Sequence, residues 1–94
     1  MLDIQELKKF NDERKKYKLE PYKIILDMIC NKIKETSILL NESYCVFQVP
    51  ELMIGYSLYD IDDCCKWLKK KLIKLKMDDV EIINKNILVI KWSL

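Results

Sequence analysis

Histidine is missing from these 94 residues, and with it the usual general base near neutral pH and the commonest metal ligand. Glycine occurs once, at Gly55, which excludes phosphate-cradling loops of the P-loop and dinucleotide-binding kinds. Arg14 is the lone arginine, so rigid guanidinium forks for phosphate are almost wanting. No apolar run reaches the ~18 residues of a membrane-spanning helix. The opening residues Met1-Leu2-Asp3-Ile4-Gln5-Glu6 have neither the basic segment nor the apolar core of a secretion signal. Charge is nearly balanced, 17 basic against 15 acidic side chains for a net +2. The molecule as a whole therefore has no strong pull on nucleic acid or an anionic membrane.

What is present suits one small domain spanning residues 1–94, since half of the residues are hydrophobic. The four cysteines, Cys30, Cys45, Cys64 and Cys65, are expected to be reduced core thiols in a reducing compartment. Structural zinc sites pair their ligands two to four residues apart. Here Cys64 and Cys65 are adjacent and the other two stand alone, so no metal is expected. No C-x-x-C unit is present for dithiol redox work. The acids Asp60, Asp62 and Asp63 lack the register of a calcium loop and serve better as helix cap and macrodipole partners. Without histidine or a nucleophile paired to a base, no catalytic constellation can be written and no cofactor is expected.

Periodicity places the elements. Asp3 and Glu6 have capping-box spacing, and Ile4, Leu7, Phe10 and Tyr17 recur about a turn apart, giving a first helix over residues 3–18 at the domain's edge. Pro21 suits the first position of a second helix. Its stripe is Tyr22, Ile25, Leu26, Ile29 and Ile33, while Ile24 and Met28 occupy another face. Residues 44–49, bounded by Asn41-Glu42-Ser43 and Pro50, read as a strand. The third and longest helix opens at Asp60 and runs to about Lys76, with Ile61, Cys64, Cys65, Leu68, Leu72 and Leu75 as its core stripe. Residues 80–84 and 87–92 form a C-terminal β-hairpin through Lys85-Asn86, where asparagine can take a positive φ. The expected fold is α+β: two N-terminal helices and a three-stranded antiparallel sheet covered by one long helix. The element order also admits a winged-helix-like arrangement.

Two surfaces attract attention. Residues 66–76 carry six lysines and no acid, and Lys70, Lys71 and Lys74 follow Trp67 by three, four and seven positions. An indole ringed by ammonium groups could stack on bases and contact phosphates; the competing explanation is a solvated face that complements the helix C-terminus. Residues 49–59 are unusually apolar for a connection. They either fold beneath the third helix or form a recognition patch, with Met53, Tyr56 and Tyr59 as candidate partner contacts beside Ile24 and Met28.

From Tyr22 onward the chain resembles a family of small proteins of unknown function encoded by large nucleocytoplasmic DNA viruses, the giant viruses. The likeness rests on Tyr44-Cys45-Val46-Phe47-Gln48-Val49-Pro50, Gly55-Tyr56-Ser57-Leu58-Tyr59-Asp60, Cys64, Leu68, and Asn86-Ile87-Leu88 with Ile90 and Trp92. It implies a viral protein of the host cytoplasm, viral factory or virion, and it carries no catalytic residue. The expected function is non-enzymatic: binding another viral or host protein, or a second copy, as a virion or assembly component. The alternative is a small nucleic-acid-binding module using Trp67, Lys70, Lys71 and Lys74. No membrane partner is expected.

Overall fold

The computed structural model describes residues 4–93, with side chains at Ile4 and from residue 18 onward. Its elements are α1 (Ile4–Leu39), β1 (Tyr44–Gln48), α2 (Ile61–Lys74), β2 (Asp79–Ile83) and β3 (Ile87–Lys91). The strands form one antiparallel sheet in the order β1-β3-β2. Both helices cover the same face, α1 over β1 and α2 over β2, so the fold is a two-layer α+β domain. Among the described residues no helix is long and apolar enough to cross a membrane.

Alternation explains the sheet. Cys45 and Phe47 of β1, Val80 of β2, and Leu88 and Ile90 of β3 point into the core, and Trp92 continues that face. Cys45 pairs with Ile90 and Phe47 with Leu88, while Val80 flanks Ile90 from the other side. These cross-strand neighbours tie the two edge strands to the central one. The strands begin and end within a residue of their expected limits.

Helix α2 also follows its sequence. Asp60 is its N-cap, with Oδ1 accepting from the Asp62 and Asp63 amides at 3.0 and 3.2 Å, which satisfies two otherwise orphaned donors. Cys64, Cys65, Leu68 and Leu72 are buried. Leu75 departs from the expected stripe. It caps the helix, and the chain leaves through Lys76 at φ 67, with Lys76 N–H bonding Ile73 O and Met77 N–H bonding Leu72 O. This Schellman turn swings Leu75 outward to half exposure.

The two N-terminal helices are in fact one. α1 runs unbroken over 36 residues with Pro21 inside it, about 54 Å at helical rise, which matches the molecule's longest dimension of 59 Å. It, rather than α2, is the long helix. Proline costs about 3 kcal/mol in a helix interior, yet a break here would require Glu20 as N-cap, a poor capping residue. Continuity also seats Pro21 and Tyr22 in the core and Leu19 against it, and places Lys18 3.1 Å from Asp63. Tyr22, Ile25 and Ile29 are fully buried, with Leu26 and Ile33 partly so, as their spacing requires. The capping pair at Asp3 and Glu6, and the packing of Leu7, Phe10 and Tyr17, lie outside the described residues; Ile4 is exposed. The helix ends at Leu39, and two residues on Asn41 adopts φ 51, the left-handed conformation that asparagine tolerates.

Two further expectations shift. Positive φ in the hairpin falls on Asn84 (49°) and Lys85 (73°), so Asn86 is free to donate its side-chain amide to Val49 O at 3.0 Å. Between β1 and α2 the described residues contain turns and no helix. The element order matches a winged helix, but the first helix of a helix-turn-helix is missing. Pro50 and Gly55 punctuate a segment too short for another helix.

Candidate functional site

The segment joining β1 to α2, residues 50–60, is apolar yet held in a defined shape. Tyr56 N–H bonds Met53 O at 3.1 Å and Tyr59 N–H bonds Tyr56 O at 3.2 Å, giving two consecutive turns. Gly55 supplies the first with φ 87. The Tyr59 hydroxyl donates to Pro50 O at 2.5 Å, closing the segment on itself, and its ring meets Tyr22 edge-on with centroids 5.9 Å apart.

Beneath it lies a polar brace. The Tyr22 hydroxyl donates to Asp63 Oδ2 at 2.9 Å and also approaches the Asp60 carbonyl at 3.2 Å. Lys18 Nζ sits 3.1 Å from the same Asp63 oxygen. Lys18, and then the Tyr22 hydroxyl, hold the Asp63 carboxyl below the ordinary aspartate range. Burial, followed by the neighbouring Asp63, raises the Tyr22 hydroxyl far above its usual value, and burial does the same for Tyr59. Both phenols therefore stay protonated and able to donate at neutral pH.

This brace sorts the apolar side chains of the segment. Met53 and Tyr59 pack against the core, and Tyr56 is half-buried. The three expected contacts thus mostly support the segment from within. Leu52, Ile54 and Leu58 face solvent, with Ile54 95 % exposed. Sequence reasoning missed them because a connection has no period to assign sides. The available signal was the tyrosine hydroxyl, which tends to seek a partner when its ring is buried. A 380 Å³ hollow lies beside Tyr56, walled by Glu20, Gly55, Ser57 and Leu58.

Ile24 and Met28 do occupy an exposed face of α1. One turn further on, Lys32 Nζ donates to Val46 O and lies 5.9 Å from the Phe47 ring centroid. A lysine placed there blocks part of the open edge of β1, a common guard against strand-to-strand association.

Cys45, Cys64 and Cys65 are buried, Cys30 is half-buried, and all four are free thiols. Burial pushes the Cys64 thiol up to about 12 and raises the other three as well. Because the thiolate is the reactive form, these side chains are poor nucleophiles. Among the described residues no three potential metal ligands come together.

Trp67 is half-buried against Tyr22, with centroids 5.8 Å apart, and Lys71 Nζ stands 5.4 Å from its ring centroid. Lys70, Lys71 and Lys74 do converge on it, lining with Ile73 a groove of 450 Å³. An indole engaged in this way is a groove wall with little free face for a base. Lys18–Asp63 is the only ion pair among the described residues, so no described carboxylate lies in direct contact with a lysine between residues 66 and 76, although Lys66 acts on Asp63 through space.

The described residues thus present a braced apolar loop and a cationic groove on a two-layer α+β domain. The chain belongs to the Family of unknown function (DUF5759), which matches residues 2–73 and so spans α1, β1, the loop and nearly all of α2. No curated protein and no solved structure matches it.

Proposed function

We propose that this protein is a non-enzymatic interaction module that docks another protein on the loop at Leu52, Ile54 and Leu58, with Ile24 and Met28 as a second contact face on α1. The observation that carries the proposal is an almost fully exposed isoleucine, Ile54, at the tip of a loop fixed by its own hydrogen bonds. Leaving such side chains in water is unfavourable at about 25 cal/mol per Å² of apolar surface. Fixing the loop beforehand reduces the ordering cost of binding. Met53, Tyr56 and Tyr59 act as the supporting layer. The absence of histidine and the raised thiols argue for binding rather than chemistry. In this reading the chain is of giant-virus origin and serves in the virion or its assembly, with a viral or host protein, or a second copy, as partner.

The test compares the wild-type chain with a Leu52→Ser/Ile54→Ser/Leu58→Ser variant. Sedimentation equilibrium measures self-association, and quantitative affinity purification from the producing cells measures a stoichiometric partner. The variant is expected to keep its circular dichroism and melting temperature while losing the partner or the oligomer. A wild-type chain that is monomeric and without a stoichiometric partner, or a variant that binds equally well, contradicts the proposal.

A further inference from the structure

We infer that the groove along the C-terminal half of α2, walled by Trp67, Lys70, Lys71, Ile73 and Lys74, binds an acidic segment of a partner protein, one that inserts an apolar side chain between flanking aspartates or glutamates. This surface is separate from the loop. Its cationic character exceeds what helix stability calls for. Lysines in the last turn, Lys71 and Lys74, complement the macrodipole. Lys66, Lys69 and Lys70 lie before that turn, and none of the five meets a described carboxylate.

The groove also has an apolar wall. Trp67 is pinned by Tyr22, which is itself held through Asp63 to Lys18, and Ile73 stands half-exposed among the lysines. Ammonium groups around an apolar recess match an acidic segment with a leucine, methionine or phenylalanine anchor.

Nucleic acid fits less well. Tyr22 and Lys71 already engage the indole, whereas base stacking needs a free face. Ile73 has no counterpart on a sugar–phosphate chain. The cations here are all lysines, point charges without the planar fork that favours phosphate. The chemistry therefore selects peptide carboxylates with an apolar anchor.

The test uses the full chain and a fluorescein-labelled peptide of about fifteen residues, rich in Asp and Glu with two phenylalanines. Comparison ligands are the same peptide with serine replacing phenylalanine, and an oligothymidylate of similar length. Anisotropy is expected to report binding of the phenylalanine peptide, weakened several-fold by raising salt from about 50 to about 200 mM. Lys70→Gln/Lys71→Gln/Lys74→Gln should weaken binding about tenfold, since each exposed charge pair contributes modestly. Ile73→Ser and the serine peptide should each lose several-fold. Amide shifts of the wild-type chain on titration should centre on residues 67–74, a readout independent of whether any variant folds. The Leu52→Ser/Ile54→Ser/Leu58→Ser variant should bind the peptide unchanged, which separates this inference from the proposed function. Absent binding, equal binding of the serine peptide, shifts centred elsewhere, an unaffected lysine variant, or tighter binding of oligothymidylate would each overturn it.

Discussion

Helix α2 hides Cys64, Cys65, Leu68 and Leu72 on one face, whereas the loop leading into it turns Met53 and Tyr59 inward and leaves Leu52, Ile54 and Leu58 in solvent. The two segments adjoin and are both rich in apolar residues. In the helix a fixed period decides which side chains are buried, so chemistry and position agree. In the loop the decision rests on the reach of one hydroxyl and on two turns, and aliphatic side chains are left outside. Apolar residues with a period build the core, while those without one are divided between core and solvent.

Substitutions at matched aliphatic positions should separate the two segments most sharply. Leu72→Ala in the fully buried stripe should destabilise the fold by about 2–5 kcal/mol in urea denaturation. Ile54→Ser at the loop tip should change stability by no more than ~0.5 kcal/mol. Equal effects would erase the distinction. Next in size is the junction between them: Asp60→Ala removes the acceptor for the Asp62 and Asp63 amides and should cost about 1 kcal/mol.

At the far end of α2, Lys76→Gly should stabilise by roughly 0.5–1 kcal/mol, because glycine takes the left-handed φ of 67 without Cβ strain. An unchanged or lowered midpoint would show that the lysine is not strained there.

The smallest effect concerns acid. Asp63 has its folded-state pKa lowered, first by Lys18 and then by Tyr22. Its contribution is thus complete above the ordinary aspartate pKa of 3.8 and is lost as pH falls through the lower folded value. Asp63→Asn should flatten that acid limb slightly, lying a little below the wild type at neutral pH and converging on it in acid.

Much of the fold could be read from residue order. Asp60 and the stripe through Leu72 fixed α2, and alternation fixed Cys45, Phe47, Leu88 and Ile90 as the sheet's inner face. Pro21 misled, because its local preference for a helix start competes with tertiary gains from Leu19, Tyr22 and Lys18 that only the folded chain reveals. The hairpin shifted by one residue for a similar reason: Asn86 is engaged by Val49, a strand neighbour distant in sequence. For the candidate site, composition singled out the apolar loop, and helical spacing set Ile24 and Met28 on a separate face that is exposed, but neither said which loop side chains point out. Lys70, Lys71 and Lys74 around Trp67 were legible from helical spacing. The contact of Trp67 with Tyr22 was not, since it crosses between two helices.

Photo-crosslinking tests the inward and outward division of the loop most directly. A photoreactive amino acid would be placed in turn at positions 53, 54, 58 and 59 of the chain in its producing cells. Positions 54 and 58 should join the chain to one discrete partner protein or to a second copy, while 53 and 59 should yield only crosslinks within the same molecule. Intermolecular products of equal yield from all four positions, or none from 54 and 58, would contradict a loop braced from below and presented to a partner.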